Sequence, residues 1–204
     1  MRASWPAALT SRLVHGRSVV VPAVVGVVAL LLAVFFAYTV FRGPAPSAKP
    51  EPDAAVTVDT DRFVSRKGGF SLDLPEDLEA SRKGRTAQFV SKDKDLVIVV
   101  GPGEGGSLRQ ASDQFLKTLK AAYKSFTLTG TQPEEVDGRR ALTSYGQATN
   151  AGSTRIRFVS VVVRAQPRNY TIAAYTAFDS DPSFVLPRVN AVVNSFKVLP
   201  GRKN

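Results

Sequence analysis

The chain is 204 residues long, has no cysteine and one histidine, and carries a formal net charge of +10. The missing cysteine excludes disulfides, thiolate metal sites, cysteine nucleophiles and a lipid-bearing N-terminal cysteine. The histidine, His15, precedes the long apolar stretch, so all that follows lacks the commonest general base and the best zinc ligand.

Residues 1–17 form a short basic tail in which Arg2, Arg12 and Arg17 are offset by no acid. Ser18 to Phe41 then runs for 24 residues without a charge. At 1.5 Å per residue a helix of that length spans roughly 36 Å, enough for a hydrocarbon core of about 30 Å with some tilt. The bias of positive charge to its N-terminal side predicts a cytoplasmic tail and an exported C-terminal part. The apolar run of a cleaved leader is shorter, about 7–15 residues, and Arg42-Gly43-Pro44-Ala45-Pro46 is a poor cleavage site. Residues 18–41 therefore read as an uncleaved anchor, with the lipid bilayer as their partner and the cell membrane as the location. Residues 42–61 hold Pro44, Pro46, Pro50 and Pro52 among small and charged residues, the composition of an extended tether.

Residues 62–200 are expected to fold as one domain. From Val56 onward the chain carries 22 basic against 15 acidic side chains, so the positive charge belongs mainly to this part. Phe63–Ser65 and Phe70–Leu74 read as strands around a Lys67-Gly68-Gly69 turn, and Thr86–Val90 with Leu96–Val100 as a hairpin. Leu108, Ala111, Phe115, Leu119, Ala122 and Phe126 keep helical spacing behind Ser107, a suitable N-cap. Phe126–Thr131 reads as a strand, and Asp137-Gly138 as a tight hairpin turn. Strands are expected at Ala141–Ala148, Thr154–Arg164 and Tyr170–Phe178, then a helix from near Pro182 to Phe196. Pro187 argues against a regular first turn in that helix. Val198-Leu199 is expected to close the fold. Tight hairpins demand antiparallel pairing, and strands apolar on both faces need cover on both. The predicted class is α+β: an antiparallel sheet flanked by two helices in an α/β/α sandwich.

Gly69-Phe70-Ser71-Leu72-Asp73-Leu74-Pro75 resembles the opening aromatic-strand-proline motif of the PsbP-like α/β/α sandwich family. The ending, Asp181 through Asn194-Ser195-Phe196, is similar to that family's closing helix. The resemblance covers most of Arg62 to Leu199. The family includes photosystem accessory proteins and actinobacterial envelope lipoproteins of the LpqN type. It implies binding or assembly roles without catalysis and brings no catalytic residues. The chain departs from the lipoprotein relatives in having no lipid-bearing cysteine, and the family's Trp shortly after the opening proline is absent, with Leu78 nearby.

Several stretches carry a chemical reading beside a plainer one. Gly101-Pro102-Gly103-Glu104-Gly105-Gly106 fits a dinucleotide fingerprint between strand and helix. Glu104 would oppose a pyrophosphate, and no acid follows at the required distance, so a strand-to-helix connection is preferred. Asp179-Ser180-Asp181 has alternate carboxylates but lacks the glycine and late glutamate of a calcium loop, and reads as a helix cap before Pro182. Glu134-Glu135 lacks a partner carboxylate for glycoside hydrolysis. Ser65-Arg66-Lys67 and Ser91-Lys92 place serine by lysine without the spacing of a nucleophile and its base. No catalytic, metal-binding or cofactor-binding residue is assigned, and no cofactor is expected. The basic residues are the remaining candidates. Through a turn at Asn150, Ser144 and Gly146 would face Arg157 and Arg155 and leave both guanidiniums accessible to carboxylate or phosphate. Arg140 and Arg164 complete the candidate contact set; Arg139 and Arg168 lie on the same segment. The expected function is an extracytoplasmic binding or accessory module that contacts an envelope protein or an anionic polymer, with no nucleic acid partner. The alternative is a hydrolase built on carboxylates or on serine and lysine.

Overall fold

The structure, a computed structural model, describes residues 60–103 and 105–200. The expected tail and span, and the tether as far as residue 59, lie outside the described residues. Among the described residues no helix is long and apolar enough to cross a membrane.

Ten strands and two helices follow in the order β1 (Thr60–Ser65), β2 (Phe70–Pro75), β3 (Leu78–Lys83), β4 (Thr86–Ser91), β5 (Leu96–Pro102), α1 (Leu108–Ala122), β6 (Ser125–Val136), β7 (Arg139–Thr149), β8 (Arg155–Val163), β9 (Tyr170–Ala177), α2 (Pro182–Ser195) and β10 (Lys197–Val198). They form two antiparallel sheets where one was expected. The smaller has the order β1-β2-β10, the larger β3-β4-β5-β9-β8-β7-β6. The division falls at Pro75, which ends β2; a turn at Glu76 and Asp77 then delivers the chain to the larger sheet at Leu78.

Alternation along β8 explains the layers. Ile156, Phe158 and Val162 point to one face and Val159, Val161 and Val163 to the other, and both sets are packed. The first face meets α1 through Leu108, Ala111, Leu119 and Tyr123. The second meets the small sheet and α2 together, through Phe70 and Leu72 of β2 and Val185, Val189 and Val192 of α2. Helix α1 opens with a capping box: the Ser107 hydroxyl accepts from Gln110 N, and the Gln110 side chain accepts from Ser107 N. Helix α2 starts where Asp181 accepts a hydrogen bond from Ser183 N at 2.8 Å, with Pro182 in its first turn, and it accommodates Pro187 within it.

The two stretches that carry the family resemblance meet in the core. Asp73 N donates to Ser195 Oγ at 2.8 Å, and the Phe70 and Phe196 rings stack with centroids 5.9 Å apart. Tyr170 lies edge-on to Phe70, and its hydroxyl donates toward the carbonyls of Gly68 and Gly69. A Cβ on Gly68 would stand 2.5 Å from the Phe70 ring and 2.7 Å from Arg85 O, so only glycine fits the β1–β2 turn there.

Candidate functional site

The expected pairing of β7 with β8 is displaced by three residues. Arg157 lies opposite Gln147 and Arg155 opposite Thr149, while Ser144 pairs with Ser160 and Gly146 with Phe158. The cause is the size of the turn. Asn150 N donates to Thr154 O, Thr154 N donates to the Asn150 side chain at 2.9 Å, and Ser153 takes a positive φ of 64°. The loop is therefore centred on Gly152, and an odd shift in register moves a whole set of side chains to the other face. Ser144 and Gly146 face α1, away from the arginines. A Cβ on Gly146 would lie 2.9 Å from the Phe158 ring, so the small residue serves packing beneath α1.

Arg155 and Arg157 project from the α2 face of β8, and both lie over Phe178, the residue just beyond β9. Their guanidinium carbons are 3.6 and 4.7 Å from its ring centroid. Arg157 also donates from Nη1 toward Ser180 O at 3.4 Å, in the loop that leads into α2. Arg155 is exposed and Arg157 half-buried. The four ion pairs among the described residues join Arg62 to Asp73, Arg109 to Asp113, Arg139 to Asp137 and Arg188 to Asp77, and include neither of these two.

The other two candidates are elsewhere. Arg164 N donates to Arg140 O at 2.8 Å, so this pair sits together, just past the far end of β8. Arg164 lies seven residue steps beyond Arg157, roughly 23 Å of extended chain, and strand alternation places the two pairs toward opposite faces. The four arginines form two pairs, not one patch.

Beside Arg157 lies a small cavity of about 110 Å³, walled by Leu96, Val159 and Ala174 of the large sheet and by Val185, Leu186 and Val189 of α2. Leu186 on its rim is 49% exposed. The sequence shows β8 as apolar and α2 as amphipathic. It does not show that a gap stays open between them, so the sequence carries no signal for the cavity, for Phe178 or for Leu186.

The remaining motifs take their plainer roles. Gly103 N donates to Asn169 O at 2.8 Å, which ties the glycine-rich connection between β5 and α1 to the start of β9. The hydroxyl of Ser65 accepts from Gly68 N, and that of Ser91 donates to Asp95 and accepts from Leu96 N, so both serines fasten turns. Glu134 accepts a hydrogen bond from Thr143 across the β6–β7 pair.

An antiparallel seven-stranded sheet between one helix and a helix-plus-small-sheet layer is a PsbP-like fold, as the opening and closing motifs implied. Among solved structures it is similar to cyanobacterial PsbP (CyanoP) of Synechocystis sp. PCC 6803, with a TM-score of 0.55 and 17% identity over 73% of this chain and 98% of that one. It is equally similar to the Ran-binding protein Mog1p of Saccharomyces cerevisiae, with a TM-score of 0.55 and 11% identity over 70% and 97% of the two chains. LpqN of Mycobacterium tuberculosis also matches, at 13% identity over 70% of this chain and 92% of its own, but its TM-score of 0.47 is too low to bear on this chain. At these identities the likeness establishes the fold alone. No family model matches the sequence, and no curated protein does.

Proposed function

We propose that the chain is a non-catalytic binding module, held outside the cell membrane by residues 18–41 on a tether of residues 42–61. One observation carries the reading: Arg155 and Arg157 are held side by side on Phe178 and have no carboxylate partner among the described residues. Two cations fixed on a ring, Arg155 exposed and Arg157 giving up one donor to Ser180 O, recognise carboxylate or phosphate groups with their remaining donors at little further cost in side-chain order. The uncharged stretch and the basic residues before it support an exported domain, and the net positive charge after Val56 supports an anionic partner. Mog1p, which shares the fold, is a Ran-binding protein, so this architecture is compatible with protein binding. The hydrolase reading gains nothing from Ser65 and Ser91, whose hydroxyls are taken up in turns.

The test is capture from detergent-solubilised envelope by the full chain, wild type against Arg155→Glu/Arg157→Glu, at low and high salt. Capture is expected to fall sharply in the double variant. It should also weaken with salt, since exposed charges are screened beyond a Debye length of about 8 Å at physiological ionic strength. Capture that survives both changes removes this site from the proposal.

A further inference from the structure

The arginine pair does not stand alone: it forms one wall of an apolar cavity, and the combination selects between the two kinds of anionic partner. Arg157 lines the cavity together with Leu96, Val159, Val185 and Val189, while Leu186 on its rim leaves much of its apolar surface exposed. The volume of about 110 Å³ sets the size of what enters. An apolar cavity of about 150 Å³ stays dry and accepts benzene, so this one has room for one branched aliphatic group. It is too small for a sugar ring or a long acyl chain. A half-exposed aromatic ring, Phe178, and the exposed Leu186 beside arginine, around a pocket that admits one anchor, have the composition of a protein-binding hot spot.

We infer that this surface docks a polypeptide segment whose aliphatic side chain, of leucine or isoleucine size, enters the cavity while an adjacent aspartate or glutamate meets Arg155 and Arg157. The inference rests on the proposed binding function and specifies its partner. A polysaccharide or polyphosphate would satisfy the guanidiniums and leave the cavity unfilled. Neither Asp179 nor Asp181 forms an ion pair with these arginines, and Asp181 caps α2 instead.

The two requirements can be separated with defined peptides. The full chain in detergent is titrated with labelled ten-residue peptides that carry a central Leu or Ala flanked by Asp and Glu, with polyglutamate and polyphosphate as polyanion controls. Wild type is expected to prefer the Leu peptide over the Ala peptide roughly tenfold, the effect of burying a few extra carbon atoms. Ala174→Leu, which fills the cavity from β9, should abolish that preference and keep the salt-dependent part. Leu186→Asp, on the exposed rim, should do the same without risk to the core. Arg155→Glu/Arg157→Glu should weaken both peptides together. Equal affinity for Leu and Ala peptides, a preference that persists in Ala174→Leu and Leu186→Asp, or binding of polyanions alone overturns the inference. So does failure of every peptide to bind. In each of these cases arginine-dependent capture from the envelope would leave the broader function standing.

Discussion

Asp93 and Asp95 share the turn between β4 and β5, and they titrate in opposite directions. Burial, then a hydrogen bond with Asp93, pushes the Asp95 carboxyl above its ordinary value. Burial also pushes Asp93 upward, but hydrogen bonds to Asp95 and Ser91 and the charge of Arg188 outweigh it and hold that group below. The pair therefore resists being doubly ionised. A raised folded value means that the Asp95 contribution to stability is fully present below the unfolded value of 3.8 and is lost as pH rises through the folded one. Asp95→Asn keeps an oxygen for the Ser91 hydroxyl and removes the second charge. It should unfold at a higher temperature than wild type at pH 7, and the gap should close as pH falls toward 4. Melting curves across that range decide it; a gap that does not change with pH contradicts the assignment. None of this was legible in Ser91-Lys92-Asp93-Lys94-Asp95, which reads simply as a polar turn, because the burial that raises Asp95 and the side-chain bonds that hold Asp93 low come from the folded turn, with Arg188 acting from far along the chain.

At the level of elements, what the sequence reveals depends on how each one is buried. Helix α1 is legible because its apolar residues repeat at helical spacing behind an N-cap, but it runs from Leu108 to Ala122 and stops short of the expected end at Ser125, since Ser125 and Phe126 already belong to β6. Strand β3 is not legible: Leu78 is its one buried residue, and Glu79 to Lys83 are exposed at the edge of the large sheet. Strand β6 exceeds its expected length for a related reason. It is the opposite edge, and residues up to Glu135 show no apolar alternation. The faces of β8 were legible from alternation, but its register was not, because the polar bonds of the Asn150 turn decide it. Stability follows the same logic. Leu119 is 1% exposed at the centre of the α1 contact, so Leu119→Ala should cost about 2–5 kcal/mol. Ser107→Ala, which removes the cap hydroxyl, should cost about 1 kcal/mol. Phe115 is only partly buried, so Phe115→Asp should destabilise less than its position in the stripe implies. Denaturant midpoints that reverse the order of Leu119→Ala and Ser107→Ala would count against this packing.

For the whole molecule, the sequence supplied the class of fold and a set of arginines on one three-strand segment, not all on one face, and the structure shows how they pair. Arg155 with Arg157 and Arg140 with Arg164 could not be told apart without knowing that β8 carries one pair near each end. The proposed topology makes its own prediction. Protease added to intact cells or spheroplasts should remove residues beyond the tether and leave a small membrane-bound stub. A protected C-terminal domain would reverse the orientation, and a domain released into the medium starting near Ala45 would favour cleavage over anchoring.

The small sheet has a consequence for how the domain is made. Its central strand, β2, is flanked by β1 from the beginning of the domain and by β10 from its end, with Lys197 paired to Ser71 and Val198 to Phe70. The Phe70 ring waits for Phe196 to cover it. A chain emerging residue by residue cannot complete this core until almost its last segment has appeared, and contacts so distant in sequence form slowly. A nascent polypeptide that stays open until it is complete is one that can be threaded through a translocation channel before it locks. It also follows that a stop codon placed just before Ser195 should yield a chain that aggregates or is degraded, although it would lack only ten of the 204 residues.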